Sequence, residues 1–190
     1  MTTNRTKLLT YNALLAAIIV VLSLVPMLGF IQIGPAAIQI ISIPVIIGAI
    51  LFGGRSGLFL SIAFGLASWY VAVTRAATPV DLLFVNPLVA LVPRMIFGLS
   101  ISPLYKIFSR MFDRESMSVG TTAFVSSLIH SVATLTTLFI AFGFQSMDLA
   151  MDFLVGILAV TILVNTLVEA VASVLVSIPV VAALKRIIRQ

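Results

Sequence analysis

Arg94, Glu169, His130, Asn165 and Asn86 are the side chains of this sequence best equipped for chemistry, and all of them stand within or beside long apolar runs. Arg94 lies in Asn86-Pro87-Leu88-Val89-Ala90-Leu91-Val92-Pro93-Arg94-Met95-Ile96-Phe97-Gly98-Leu99, with apolar residues for a turn or more on each side. A guanidinium inside a hydrocarbon-spanning helix costs at least ~2.5 kcal/mol, so it faces a cavity or a partner and marks a site. Glu169 is the other charge enclosed in this way. The spacing around these residues is helical. Asn86, Ala90 and Arg94 share one stripe, Ser126, His130 and Thr134 a second, and Thr161, Asn165 and Glu169 a third. Small and polar residues gathered on one stripe describe a cavity wall.

Each of these residues also has a structural reading. Arg94 and Glu169 can neutralise one another as a buried ion pair that sets helix register, which leaves a binding role open. His130 can be a satisfied core histidine, and Asn165 an interhelical hydrogen-bonder. Trp69 and Tyr70 fit an aromatic belt, while Asn86-Pro87 fits a helix start with Asn as cap and Pro in first position.

Other chemistries are excluded. Cysteine is absent and histidine occurs once, which removes disulfides, thiolates and multi-histidine metal sites. Gly54-Arg55-Ser56-Gly57 matches the Gly-x-Ser-Gly pattern of intramembrane rhomboid proteases, with His130 as the available base. Ser56 falls in a tight turn, whereas His130 is about 11 residues, or ~16 Å, into its own helix. A nucleophile and its base must meet within ~3 Å, so the glycines are read as a turn. Paired carboxylates and a phosphate-cradling loop are missing, so the chain is not expected to be an enzyme, to hydrolyse ATP itself or to hold a cofactor or metal.

The elements that position these residues are membrane helices. The chain is 61% hydrophobic and 9% charged, where a soluble domain carries roughly a quarter charged residues. Six apolar runs, at about 8–26, 39–53, 57–74, 86–105, 119–142 and 150–184, predict an all-α bundle of six transmembrane helices forming a single domain over residues 1–190. The first run is read as a span rather than a cleaved signal. The second is short and carries Pro44.

Lys and Arg give the orientation. Arg5, Lys7, Arg55, Lys106, Arg110, Arg114, Lys185, Arg186 and Arg189 fall on one side, and Arg75 falls on the other beside Asp81, Asp148 and Asp152. Both termini are therefore expected in the cytoplasm. The net charge of +5 reflects orientation in the lipid bilayer, and no nucleic acid is expected. Outward loops at 27–38 and 75–85 are too apolar for hydrated loops, and they predict lids over the outer mouth or segments resting among headgroups. Arg94, about eight residues from the outer end of its helix, sits ~12 Å deep, at the level of His130, Asn165 and Glu169. Ala13 and Ala17 form a small-xxx-small face for close approach of another helix, or for packing inside the bundle.

These features together resemble the substrate-binding S-components of energy-coupling factor vitamin transporters. The resemblance is carried by the six short spans, the alanine motif, Ile43-Pro44-Val45-Ile46-Ile47-Gly48-Ala49-Ile50-Leu51-Phe52-Gly53, Arg55-Ser56-Gly57 and Asn86-Pro87-Leu88…Pro93-Arg94, and it covers essentially the whole chain. It implies location in a prokaryotic cell membrane and a vitamin bound near the outer side. It also implies a transmembrane coupling subunit (EcfT-like) docked on Ala13 and Ala17, with two cytoplasmic ATPases (EcfA-like). The Asn-Pro-Leu…Pro-Arg segment is most similar to pantothenate-specific members. The implied substrate contacts are Arg94, Asn86, His130, Asn165, Glu169, Trp69, Gln39 and Phe84. An arginine suits a carboxylate because it offers two parallel hydrogen bonds. The alternatives are another vitamin, such as riboflavin, folate or a pyrimidine- or pyridoxine-type compound, and a stand-alone carrier or channel using Arg94 and Glu169.

Overall fold

A computed structural model describes residues 2–25, 28–33, 36–76, 82–142 and 159–188. Among them are six helices: α1 (Thr2–Leu24), α2 (Ser42–Phe52), α3 (Gly54–Arg75), α4 (Pro87–Met111), α5 (Glu115–Phe142) and α6 (Ala159–Ile188). All but α2 are long and apolar enough to cross a membrane. At 11 residues, α2 spans only ~16 Å, about half of a ~30 Å hydrocarbon core. After Ser42 its sequence Ile-Pro-Val-Ile-Ile-Gly-Ala-Ile-Leu-Phe is apolar all round, and a helix of that kind belongs in the interior. Every residue from Ser42 to Ile50 is buried accordingly. Pro44 falls in the first turn, where its missing N–H removes no helical bond. The expected start of the last span, at 150, and Asp81, Asp148, Asp152 and Arg189 lie outside the described residues.

Side-chain ties show that the helices alternate in direction. Tyr11 stacks on Phe52 at 5.4 Å, and Asn12 Nδ2 donates to Ser56 Oγ at 3.0 Å, so early α1, the end of α2 and the start of α3 share one end of the bundle. Arg75 Nη1 donates to the Leu24 carbonyl at 2.9 Å, placing the last turns of α1 and α3 together at the opposite end. That bond satisfies a helix-terminal carbonyl and gives a structural use to the cation that stands apart from the rest in the charge pattern. Lys185 of α6 donates to Tyr105 OH of α4 at 2.8 Å and pairs with Glu115 of α5, closing three helices at the basic end.

The first connection departs from a simple loop. β1 (Phe30–Ile33) and β2 (Ala36–Gln39) pair antiparallel, Phe30 opposite Gln39 and Ile33 opposite Ala36. Isoleucines and Phe30 on either side of a Gly34-Pro35 step have the composition of a hairpin. Reading the stretch for spans and breaks alone overlooked this. β2 lies against α6. The spans themselves are all-helical, as expected.

Close backbone approach fixes the α3–α4 pair. A Cβ on Gly98 would lie 2.5 Å from the Gly57 carbonyl oxygen, and a Cβ on Gly57 would lie 2.5 Å from that of Gly98. The two helices therefore touch backbone to backbone, the approach that small residues permit in membranes. One helix earlier, Gly53 has φ of 90° and makes the tight α2–α3 turn. Gly98→Ala should lower the unfolding temperature in detergent by several degrees, because overpacking of about 1–3 kcal/mol outweighs the ~1 kcal/mol gained in helix propensity. An unchanged or raised temperature would show that the crossing tolerates separation.

Candidate functional site

The site is built from the start of α4 downward. Asn86 caps the helix, its side chain accepting from Leu88 N at 3.0 Å, with Pro87 in first position. Two turns on comes Pro93, buried and inside the helix. An α-helical carbonyl normally accepts from the N–H four residues later. Pro93 has no N–H, so the Val89 carbonyl is left without its helical donor. Arg94 supplies one, with Nη1 donating to Val89 O at 3.1 Å.

This bond corrects the depth read from sequence. Long helical side chains run back toward the N-terminus, and Arg94 reaches a carbonyl five residues behind it. Its charged head thus lies nearer the start of α4 than its own Cα. The guanidinium is nevertheless enclosed, since Arg94 is only 5% exposed.

Neighbouring helices supply the rest of the enclosure. From α3, Ser68 Oγ accepts from Nη2 at 3.3 Å, and the Phe64 ring centroid lies 5.3 Å from the guanidinium carbon. Phe84, just before α4, offers a second ring at 4.8 Å. Each is a cation–π contact. From α6, Glu169 acts on Arg94 as an opposite charge. The hydrogen bonds of the two Nη atoms go to Val89 and Ser68, and Nε has no partner.

His130 of α5 shares the Phe64 wall, its ring 6.0 Å from Phe64 and 5.0 Å from Phe97, and it feels the charge of Arg94. It is buried, and its Nε2 has no hydrogen-bond partner. The Oδ1 of Asn165, one turn before Glu169 on α6, is likewise buried and unpartnered. The remaining hydroxyls of the α5 stripe are spent on their own helix: Ser126 donates to the Ala123 carbonyl and Thr134 to that of His130. Thr166 donates to Ser131 Oγ at 2.6 Å and ties α5 to α6 beside His130.

The structure therefore gathers Arg94, Phe84, His130 and Glu169 around one region, with Asn165 a turn away on α6. It does not bring Trp69 into that group. Trp69 is 37% exposed, and its Nε1 donates to the Val85 carbonyl at 2.9 Å, clipping the end of α3 to the segment before α4. Asn86 is engaged as a cap. The side chains of Gln39 and Thr161 lie outside the described residues. Ser56 is held by Asn12 at the start of α3, two turns below Phe64 and hence ~12 Å along the helix from the wall that holds His130. That separation rules out Ser56 and His130 as a nucleophile–base pair. Ala13 and Ala17 are exposed, and the face they occupy is not packed inside the bundle.

Sequence reasoning missed Phe64, Ser68 and Phe97. Phe97 was within reach, one turn beyond Arg94 on the same face. Ser68 and Phe64 become legible only once Gly57, Ser61 and Gly65 are seen as the small-residue seam of α3 that meets α4, a seam that includes Ser68.

Comparison with known proteins agrees with this architecture. The family model described as ECF transporter, substrate-specific component, matches residues 7–181. The pantothenic acid transporter PanT of Lactococcus lactis subsp. cremoris (strain MG1363) is 29% identical over 166 residues, 80% of each chain. The pantothenate transporter PanT of Leuconostoc mesenteroides subsp. mesenteroides is 30% identical over 148 residues, 75% of this chain and 72% of that one. A family model that matches nearly the full length settles the class: this chain belongs to the substrate-specific components of ECF transporters, multi-pass proteins of the prokaryotic plasma membrane that serve transport rather than catalysis.

Proposed function

We propose that the protein captures pantothenate from the outer side of the membrane and delivers it inward through a coupling subunit and partner ATPases. The observation that carries this reading is that Arg94 Nε on α4, His130 Nε2 on α5 and Asn165 Oδ1 on α6 are all buried without a hydrogen-bond partner. Buried polar groups in native proteins are almost always paired, so such a set fits a ligand with complementary groups. Nε–H, together with a second hydrogen on Nη2, offers the side-on edge that carboxylates take as two parallel bonds. His130 and Asn165 suit the amide and hydroxyls of pantothenate. Glu169 acts on the arginine as an opposite charge, and Arg94 Nε has no partner. Both relatives described above are pantothenate transporters by name.

The remaining parts of the reading follow from orientation. The positive-inside asymmetry puts the basic end, with Lys185, in the cytoplasm and the β1–β2 hairpin outside. There the hairpin and the segment containing Phe84 serve as lids, and Phe84 already rests on the guanidinium. α1 is the span least enclosed by the others. Its exposed Ala13 and Ala17 form the face on which the coupling subunit docks. All 190 residues act as one membrane domain.

Two measurements test the reading. Labelled pantothenate should bind the purified protein, and Arg94→Ala should weaken binding by roughly 100-fold, as expected when one partner of a buried charge pair is removed. Undiminished affinity in the variant sinks the carboxylate assignment. Replacing Ala13 and Ala17 by Trp should abolish copurification with the coupling subunit while pantothenate binding persists. If the complex still assembles, docking lies elsewhere.

A further inference from the structure

Arg94 is a long, flexible side chain, yet a site that selects a carboxylate needs its guanidinium in one orientation. The structure holds that group by its two Nη atoms: Nη1 on the Val89 carbonyl at 3.1 Å and Nη2 on Ser68 Oγ at 3.3 Å. Phe64 and Phe84 lie within 5.3 Å of its central carbon. The first of these pins exists because of the neighbouring residue. Any residue but proline at position 93 would present an N–H to Val89 O and complete the helical bond. In a membrane interior a carbonyl left without a donor costs several kcal/mol, so once Pro93 withholds its N–H the carbonyl recruits the nearest alternative. That alternative is the guanidinium one residue on.

We propose that Pro93 is a positioning residue for the ligand's carboxylate: by freeing the Val89 carbonyl it anchors Nη1 of Arg94 and leaves the Nε–H edge for the ligand. This rests on the reading of Arg94 as the carboxylate-binding residue. Restoring an N–H at position 93 returns Val89 O to the helix and takes away one of the guanidinium's two pins. The arginine remains, but its orientation is no longer held before the ligand arrives, and binding must then supply that order. Selectivity for a carboxylate falls, while the contacts to the rest of the ligand stay.

The test compares pantothenate with pantothenol, in which an alcohol replaces the carboxylate, on purified protein. Pro93→Ala should weaken pantothenate binding about tenfold, the order expected for a lost hydrogen bond to a charged group, and leave pantothenol binding unchanged. Pro103→Ala, at the second proline inside α4, controls for straightening of the helix and should change neither. In an Arg94→Ala background, Pro93→Ala should have no further effect. Equal weakening of both ligands, the same loss in Pro103→Ala, full selectivity in Pro93→Ala, or additive losses in the double variant would each overturn the proposal. Replacing a helix-interior proline by alanine favours the helix, so the variant should fold. Pro93→Gly supplies the same N–H with less volume should the alanine variant fail to assemble. If Arg94→Ala itself binds pantothenate normally, the carboxylate reading fails, and that outcome is distinct from a failure at Pro93 alone.

Discussion

Hydrocarbon offers no hydrogen bonds, so a guanidinium placed among membrane helices must find every partner within the protein. Much of this structure answers that demand at Arg94. Its own helix gives up a carbonyl at Val89, α3 gives a hydroxyl at Ser68, and two phenylalanine rings lie against the charge. These contacts require α3 and α4 to run close together, which the facing backbones of Gly57 and Gly98 permit. His130 of α5 packs against Phe64, which also lies on the guanidinium, and Glu169 of α6 supplies an opposite charge. The short, almost wholly apolar α2 fills the interior beside them and helps to keep the bundle closed.

A frame of this kind separates a rigid part from a more loosely held one. Helices α4, α5 and α6 are joined at the basic end by Tyr105, Glu115 and Lys185, and α5 is joined to α6 beside His130 by Ser131 and Thr166. α1 is attached mainly along one side, through Ile19 in the core, Asn12 on Ser56, Tyr11 on Phe52 and the Arg75 cap on Leu24. Its other side carries Ala13, Leu14, Ala17 and Val21 outward. Sites that must select a ligand favour rigid supports, whereas an exposed small-residue face favours a helical partner.

The helical class of the fold and the enclosure of Arg94 were legible in the sequence for one reason. Long apolar runs and an isolated charge within them have few physical explanations. The position of that charge was not legible, because depth counted along a helix locates a Cα, and the arginine's head reaches back five residues to Val89. Phe64 and Ser68 were hidden because both are ordinary in membrane helices and gain meaning only from the register of α3 against α4. Trp69 drew attention as an aromatic, yet its bond to Val85 gives it a structural place. The hairpin escaped because a search for spans reads β-rich residues between helices as a loop.

Pro93 and Arg94 look like two separate oddities in a list of residues: a helix breaker and a misplaced charge. In the structure each accounts for the other. A carbonyl that the proline leaves open is the one the arginine uses, and the edge of the guanidinium left over is the one we assign to the ligand. The most direct measurement is an experimental structure of the protein with pantothenate bound. The carboxylate should sit at ~2.8 Å from Nε and Nη2 of Arg94, with Nη1 still on the Val89 carbonyl. A carboxylate held elsewhere, with Arg94 turned onto Glu169, would contradict the account.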